Sequence, residues 1–342
     1  MRVDGPLVTP ALREVGAAAR EMEAAGYDGA FTFEGPHDPF LPLVVAADAT
    51  ERLELTTAVA IAFARSPMTL AQQAWDLQAL SRGRFHLGLG SQVKAHIERR
   101  FSMPWSAPAA RMRELVLAIR AIWSTWQDRV PLRFEGTHYT HTLMTPFFDP
   151  GPLDVGPPRI WLGGVGPHMT EAAGEVADGF MVHPFCTERS LQEVTLPALE
   201  RGRAQPEARP NDLEISLPVM IATGVDDAAM DAAIAAVRAQ IAFYASTPAY
   251  KVVLDVHGWG DLQPHLRDLT RSGDWAAMAS VVHDDLLHAV AVVGAPDDVA
   301  SEIHRRYGDV LHRVALNAPY AASPDLWQQI ANDVRGQPTS KT

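Results

Sequence analysis

The chain has one cysteine, Cys186, among 342 residues. No internal disulfide framework and no all-cysteine metal site can form. No apolar run approaches the ~20 residues of a membrane-spanning helix. The opening, MRVDGPLVTP, lacks the apolar stretch of a secretory signal. Positive charge is also scarce: 29 lysines and arginines stand against 41 acidic residues, a net charge of −12. Such a chain has no general attraction for phosphate backbones, which argues against nucleic acid as a partner. The first strand-like run, RVDGPLV, has no paired histidines, and no GxSxG elbow occurs. A cytoplasmic protein without membrane or nucleic-acid partners is expected.

What the chain does have is alternation. Hydrophobic residues make up 47% of it, enough for a sizeable core. Thr9-Pro10 reads as a helix N-cap followed by proline at the first helical position. Leu12, Val15, Ala19 and Met22 then recur at helical spacing, and Gly26 supplies a stop. Strands are expected over 2–7, 30–33, 53–62, 84–90, 160–163, 179–183, 213–223 and 314–317, with helical stretches between them. A helix over 111–126 places Met112, Leu115, Ile119, Ile122, Trp123 and Trp126 on one apolar face. Residues 128–158 break the rhythm, and FEGTHY within them predicts a small hairpin. Residues 246–283 read as a second insertion with short helices. Eight strand–helix units over more than ~250 residues predict a single (β/α)8 TIM barrel. It would span residues 1–335, with insertions after strands 4 and 7 and a polar tail at 336–342. A doubly wound sheet is the competing architecture, but no shift in composition marks a boundary.

In such a barrel the chemistry sits at the C-terminal ends of the strands. That rule collects Glu34, His37 and Asp38; Thr57, Ala58 and Val59; Gly90, Ser91 and Gln92; Gly163, Gly164, Gly166 and His168; His183; and Asn317. The loop Gly163-Gly164-Val165-Gly166-Pro167 runs from a strand into a helix. It suits a phosphate cradle and equally a tight turn, and its spacing is not GxGxxG. Gly88 and Gly90 suit close strand packing. His37-Asp38 lies between Gly35-Pro36 and Pro39, a rigid turn that aims the pair inward; a solvated loop is the plainer alternative. His138 and His141 have metal spacing only on a helix, and the hairpin removes that meaning, so no metal site is expected. His257, His265, His283 and His288 read as surface or helix histidines. A phosphate-bearing ligand without a protein nucleophile or metal points to a cofactor that brings its own reactivity.

The segments YDGAFTFEGPHDPFLPL, LTTAVAIAFARSP, LSRGRFHLGLGSQ, GPPRIWLGGVGP, AGEVADGF and VVGAPDDVASEI occur in this order. Together they resemble the bacterial-luciferase-like flavin and deazaflavin oxidoreductase superfamily, from about Val3 to Asn317. The stretch from Glu34 to Leu43 is similar to a branch that uses coenzyme F420, an 8-hydroxy-5-deazaflavin. The resemblance implies a barrel, commonly paired as a homodimer, that transfers hydride between C5 of F420 and a small organic substrate. FMN with a monooxygenase activity, and a flavin-binding barrel without catalysis, are the rival readings. It further implies a non-proline cis peptide within Thr57-Ala58-Val59 against the cofactor ring. Gly90, Ser91 and Gln92 would line the ring and its side chain, and Gly163, Gly164, Val165 and Gly166, with His168, would hold phosphate. Arg65, Arg99, Arg100 and His168 would make a positive mouth. Many deazaflavin-dependent members place Asp-His after strand two, where this chain has Glu34-Gly35, with His37 further on. The acid found in some members after strand four is Val93 here. The candidate proton donors are therefore His37 and Glu34, with His183 in reserve.

Overall fold

Strands buried on both faces pair in parallel when helices cross between them. The computed structural model describes residues 1–8, 11–209 and 212–336; the helix start expected at Thr9-Pro10 and the tail beyond Gly336 lie outside the described residues. Eight strands follow one another around a ring: β1 (Arg2–Pro6), β2 (Gly29–Thr32), β3 (Glu54–Thr57), β4 (Phe85–Gly90), β5 (Arg159–Gly164), β6 (Gly179–Val182), β7 (Glu214–Ala222) and β8 (Arg313–Asn317). Strand β8 pairs in parallel with β1, Arg2 opposite Arg313, and closes the (β/α)8 barrel.

The principal crossover helices are α1 (Leu12–Ala24), α2 (Phe40–Ala49), α3 (Pro67–Leu80), α4 (Pro108–Asp128), α5 (Pro167–Val176), α6 (Leu196–Arg203), α7 (Asp227–Ala245) and α8 (Pro296–Tyr307), with α9 (Pro324–Gly336) after β8. Their ends follow local rules. Helix α1 stops at Gly26, whose φ is +85°, and Tyr27 N–H returns to the Met22 carbonyl. Helix α3 starts with Ser66 capping the Thr69 N–H and proline at the first position. The expected face of α4 is buried, and Trp123 donates to the Ala71 carbonyl of α3 at 3.1 Å.

Two departures matter for the site. The strand expected over 53–62 is interrupted. It ends at Thr57, the Ala58–Val59 peptide is cis, and pairing with β4 resumes only at Ala60–Ile61. The barrel interior is also not continuously apolar. Successive strand residues face opposite ways, and the inward positions near the strand starts carry charge. Arg2 pairs with Glu54 (3.1 Å) and Glu214; Arg159 pairs with Glu214 (2.5 Å); Arg313 pairs with Asp4 (2.5 Å) and Glu54. Burial alone would raise the Glu54 and Glu214 carboxyls, but the arginines hold both below the usual range. His86 lies among them, stacked on Trp161 at 5.8 Å. Burial pushes it down to about 4, so it is neutral.

The FEGTHY segment forms the expected hairpin, Phe134–Glu135 against Thr140–His141. The insertion after β7 runs past His283, through the helix Asp284–Val290, and rejoins β7 where Val292 pairs with Ile221. It packs around its own apolar cluster with α7, including Ile241, Leu254, Leu266 and Leu286. Among the described residues, no helix is long and apolar enough to cross a membrane.

Candidate active site

Above the charged layer the barrel opens into a cavity of about 370 Å3 at the strand C-termini. Its wall includes Ala58, Val59, Gly90, Ser91, Gln92, Gly163, Gly164, Val165 and His183, all collected from the sequence. A smaller cleft shares Gly164, Val165 and His183 and continues to Gly166.

The glycines explain why the wall closes around the cis bond. A Cβ on Gly90 would meet Val59 Cγ2 at 2.5 Å, and one on Gly163 would meet Val59 Cγ1 at 2.9 Å. At Gly88 a Cβ would fall 1.7 Å from the Thr57 carbonyl oxygen. Strands β4 and β5 therefore approach the 57–59 bulge more closely than any side chain permits. Gly166 differs: its φ is +91°, and a Cβ there would meet nothing within 4 Å. It leads into α5, whose proline at the first helical position and unpaired first-turn N–H groups present a positive helix end.

Other expected residues sit elsewhere. Thr57 is fully buried outside the wall; its hydroxyl donates to the Gly88 carbonyl (2.7 Å) and accepts the Gly88 N–H (2.9 Å). His168 is exposed on the first turn of α5, and Asn317 stays off the wall. Glu34 and His37 are not part of it either. One Glu34 oxygen accepts the Ile61 N–H (2.7 Å) and an Arg65 N–H (2.6 Å), while Arg65 also donates to Asp38 (3.0 Å). Asp38 in turn accepts the Phe40 and Leu41 N–H groups at the start of α2. Glu34 thus braces the segment after the cis bond, and Arg65 is committed to that brace and not to a positive mouth. His37 is exposed on the same loop. Arg100 donates to the Gly35 carbonyl at 2.6 Å.

His183 does reach the cavity. Its Nδ1 accepts the Phe185 N–H at 3.1 Å, which places the ring proton on Nε2. Burial holds this imidazole down at about 4, so it is neutral at physiological pH and a poor proton reservoir. Cys186, just beyond, is buried and its thiol is pushed up to about 11, which removes it as a nucleophile.

Further wall residues escaped the sequence reading, among them Phe31, Trp161, Tyr250 and the Asp4–Arg313 pair of the floor. Trp161 lies two positions before Gly163 on β5 and so shares its face. Phe31 likewise lies on β2, one residue before the strand end. Tyr250 belongs to the insertion, and nothing in its local sequence signals the cavity.

Comparisons with known proteins agree with the barrel fold. The uncharacterized Mycobacterium tuberculosis protein Rv1360 is 51% identical over 335 residues, 98% of each chain. Rv3520c of the same organism, provisionally named a coenzyme F420-dependent oxidoreductase, is 30% identical over 298 residues, 82% of this chain and 84% of its own. The structure of coenzyme F420-dependent tetrahydromethanopterin reductase from Methanopyrus kandleri superposes with a TM-score of 0.79 at 19% identity, covering 98% of both chains. The model of the luciferase-like monooxygenase family matches residues 1–313, and this chain belongs to that family.

Proposed function

We propose that the protein is an F420-dependent oxidoreductase acting on a small organic carbonyl or alcohol. One observation carries this reading: a largely apolar cavity, walled by Val59 packed on Gly90 and Gly163, adjoins the open Gly163–Gly166 turn at the start of α5. These residues fit a flat tricyclic ring with a phosphate-bearing tail. When bound, the deazaflavin supplies or accepts a hydride at C5. The chain's own residues would do the rest. Ala58, Val59 and the β4–β5 glycines would support the ring; the Gly166 turn and α5 amides would hold phosphate; the apolar wall would exclude water. The names of Rv3520c and of the Methanopyrus kandleri reductase support F420.

The test is a titration of the purified protein with F420 and, separately, FMN, followed by fluorescence and calorimetry. Saturable 1:1 binding of F420, with hydride exchange on a carbonyl panel, is expected. Oxygen consumption with reduced FMN and a hydroxylated product would favour the monooxygenase reading. Tight binding without turnover would favour a non-catalytic barrel.

A homodimer belongs to the same proposal. Leu41 and Val44 of α2, Leu80 of α3, and Phe147, Phe148 and Val155 of the 143–156 segment are exposed apolar side chains. That segment is tied to α3, since Trp75 donates to the Gly151 carbonyl and Gln78 to the Gly156 carbonyl. Light scattering at micromolar concentration should give twice the 37.2 kDa chain mass.

A further inference from the structure

We infer that His183 and Tyr250 form the binding site for the substrate's oxygen, and that the substrate is an uncharged carbonyl or hydroxyl compound. This deepens the oxidoreductase reading and rests on it for the reaction, but not for binding.

His183 follows β6, and Tyr250 closes the short turn Pro248–Tyr250 that opens the insertion. The two rings lie 4.3 Å apart and tilted by 39°, while Tyr244 meets His183 edge-on at 4.8 Å. Phe185 packs against both tyrosines at 6.4 Å. The imidazole is therefore clamped between aromatic rings from α7 and the insertion, with its Nδ1 fixed by the Phe185 N–H. The orientation is set before any ligand arrives. His183 Nε2 and the Tyr250 hydroxyl have no hydrogen-bond partner among the described residues, although both residues line the cavity. Two neutral donors in an apolar wall suit a carbonyl or alcohol oxygen.

The rest of the wall argues against an anion. Among the described wall residues the formal charges belong to Asp4 and Arg313, which neutralise one another through hydrogen bonds of 2.7 and 2.5 Å. Among the described wall residues no free cation remains to meet a substrate phosphate or carboxylate, and burying either without one is costly. His183 does not supply the charge itself, because burial keeps it neutral.

The experiment compares cyclohexanone with cyclohexanecarboxylate on the protein without cofactor at pH 7.5, using 15N-histidine NMR. His183→Asn identifies the His183 ring signals. Cyclohexanone should shift the Nε2–H signal of His183 saturably, and cyclohexanecarboxylate should not. Tyr250→Phe, which keeps the ring packing, should weaken the ketone about three- to tenfold, as expected for one neutral hydrogen bond. Circular dichroism would show that the variant is folded. Equal or tighter binding of the carboxylate, no binding of either compound, or a ketone affinity unmoved by Tyr250→Phe overturns the inference. If F420 fails to bind while the ketone behaves as described, the cofactor reading falls and this site stands.

Discussion

The two halves of the barrel interior are built on the same strands and follow opposite rules. Near the strand starts, three arginines and three carboxylates, Arg2, Arg159 and Arg313 against Asp4, Glu54 and Glu214, are joined into one network. Near the strand ends, above the Asp4–Arg313 floor, the wall is mostly apolar and carries neutral polar groups, among them His183, Tyr250, Ser91 and Gln92. The lower layer uses charge that is fully paired, so it specifies the closure of the barrel without offering a binding site. The upper layer leaves donors unpaired, which is costly in a folded protein unless a ligand or water takes them. The proposed function therefore draws on the layer whose polar groups are incomplete, not the one where they are most numerous.

The lower layer should break hardest. Arg313→Met leaves Asp4 buried without its arginine and Glu54 with Arg2 alone, and a stability loss of about 3–5 kcal/mol is expected in chemical denaturation. A milder result would mean that the network is more hydrated than its burial indicates.

The histidines of the two halves should set a common acid limit. His86 and His183 are both neutral in the fold, at about 4, whereas the ordinary value is 6.5. Their folded values are depressed, so the unfolded chain binds more protons between those limits. Stability is complete above about 6.5 and falls as the pH drops toward 4, by up to about 3 kcal/mol for each histidine. Denaturation midpoints measured from pH 7.5 to 4.5 check this, and His86→Gln should reduce the slope by about half.

Gly90→Ala probes the boundary between the halves. Its Cβ would press on Val59, so a stability loss of about 1–3 kcal/mol is expected. F420 affinity should fall more than tenfold by fluorescence titration. Affinity left unchanged would remove Val59 from the cofactor surface.

The smallest effect is expected at Glu34. As a brace on Arg65 and Ile61, Glu34→Gln should cost about 1 kcal/mol and leave the pH profile of turnover where it was. A shifted profile would restore Glu34 as an acid.

These contrasts also explain what the sequence could and could not tell. The barrel was legible because alternation of short apolar runs with amphipathic helices survives in the residues themselves. The Gly163–Gly166 turn and Gly90 were legible because strand ends follow from that alternation, whereas the cis bond in 57–59 was expected only from the family resemblance, since alternation ran the strand through to 62. The charged layer was not, since strands buried on both faces lose the period-two contrast that marks inside from outside. Arg2 and Asp4 look like an ordinary polar start until Arg313 closes the ring 309 residues after Asp4. Glu34 read as an acid at a strand end because Arg65, 31 residues further on, captures it only in three dimensions. Tyr250 was invisible for a similar reason: the insertion that carries it reaches the cavity by packing on α7, and short-range pattern does not encode that docking.

The central claim is that the neutral upper cavity holds the cofactor beside Val59. Titration of F420 into the wild-type protein and Gly90→Ala tests it most directly. Saturable 1:1 binding by the wild type and at least tenfold weaker binding by a folded Gly90→Ala variant are expected. No saturable F420 binding, or equal affinity in both proteins, would contradict it.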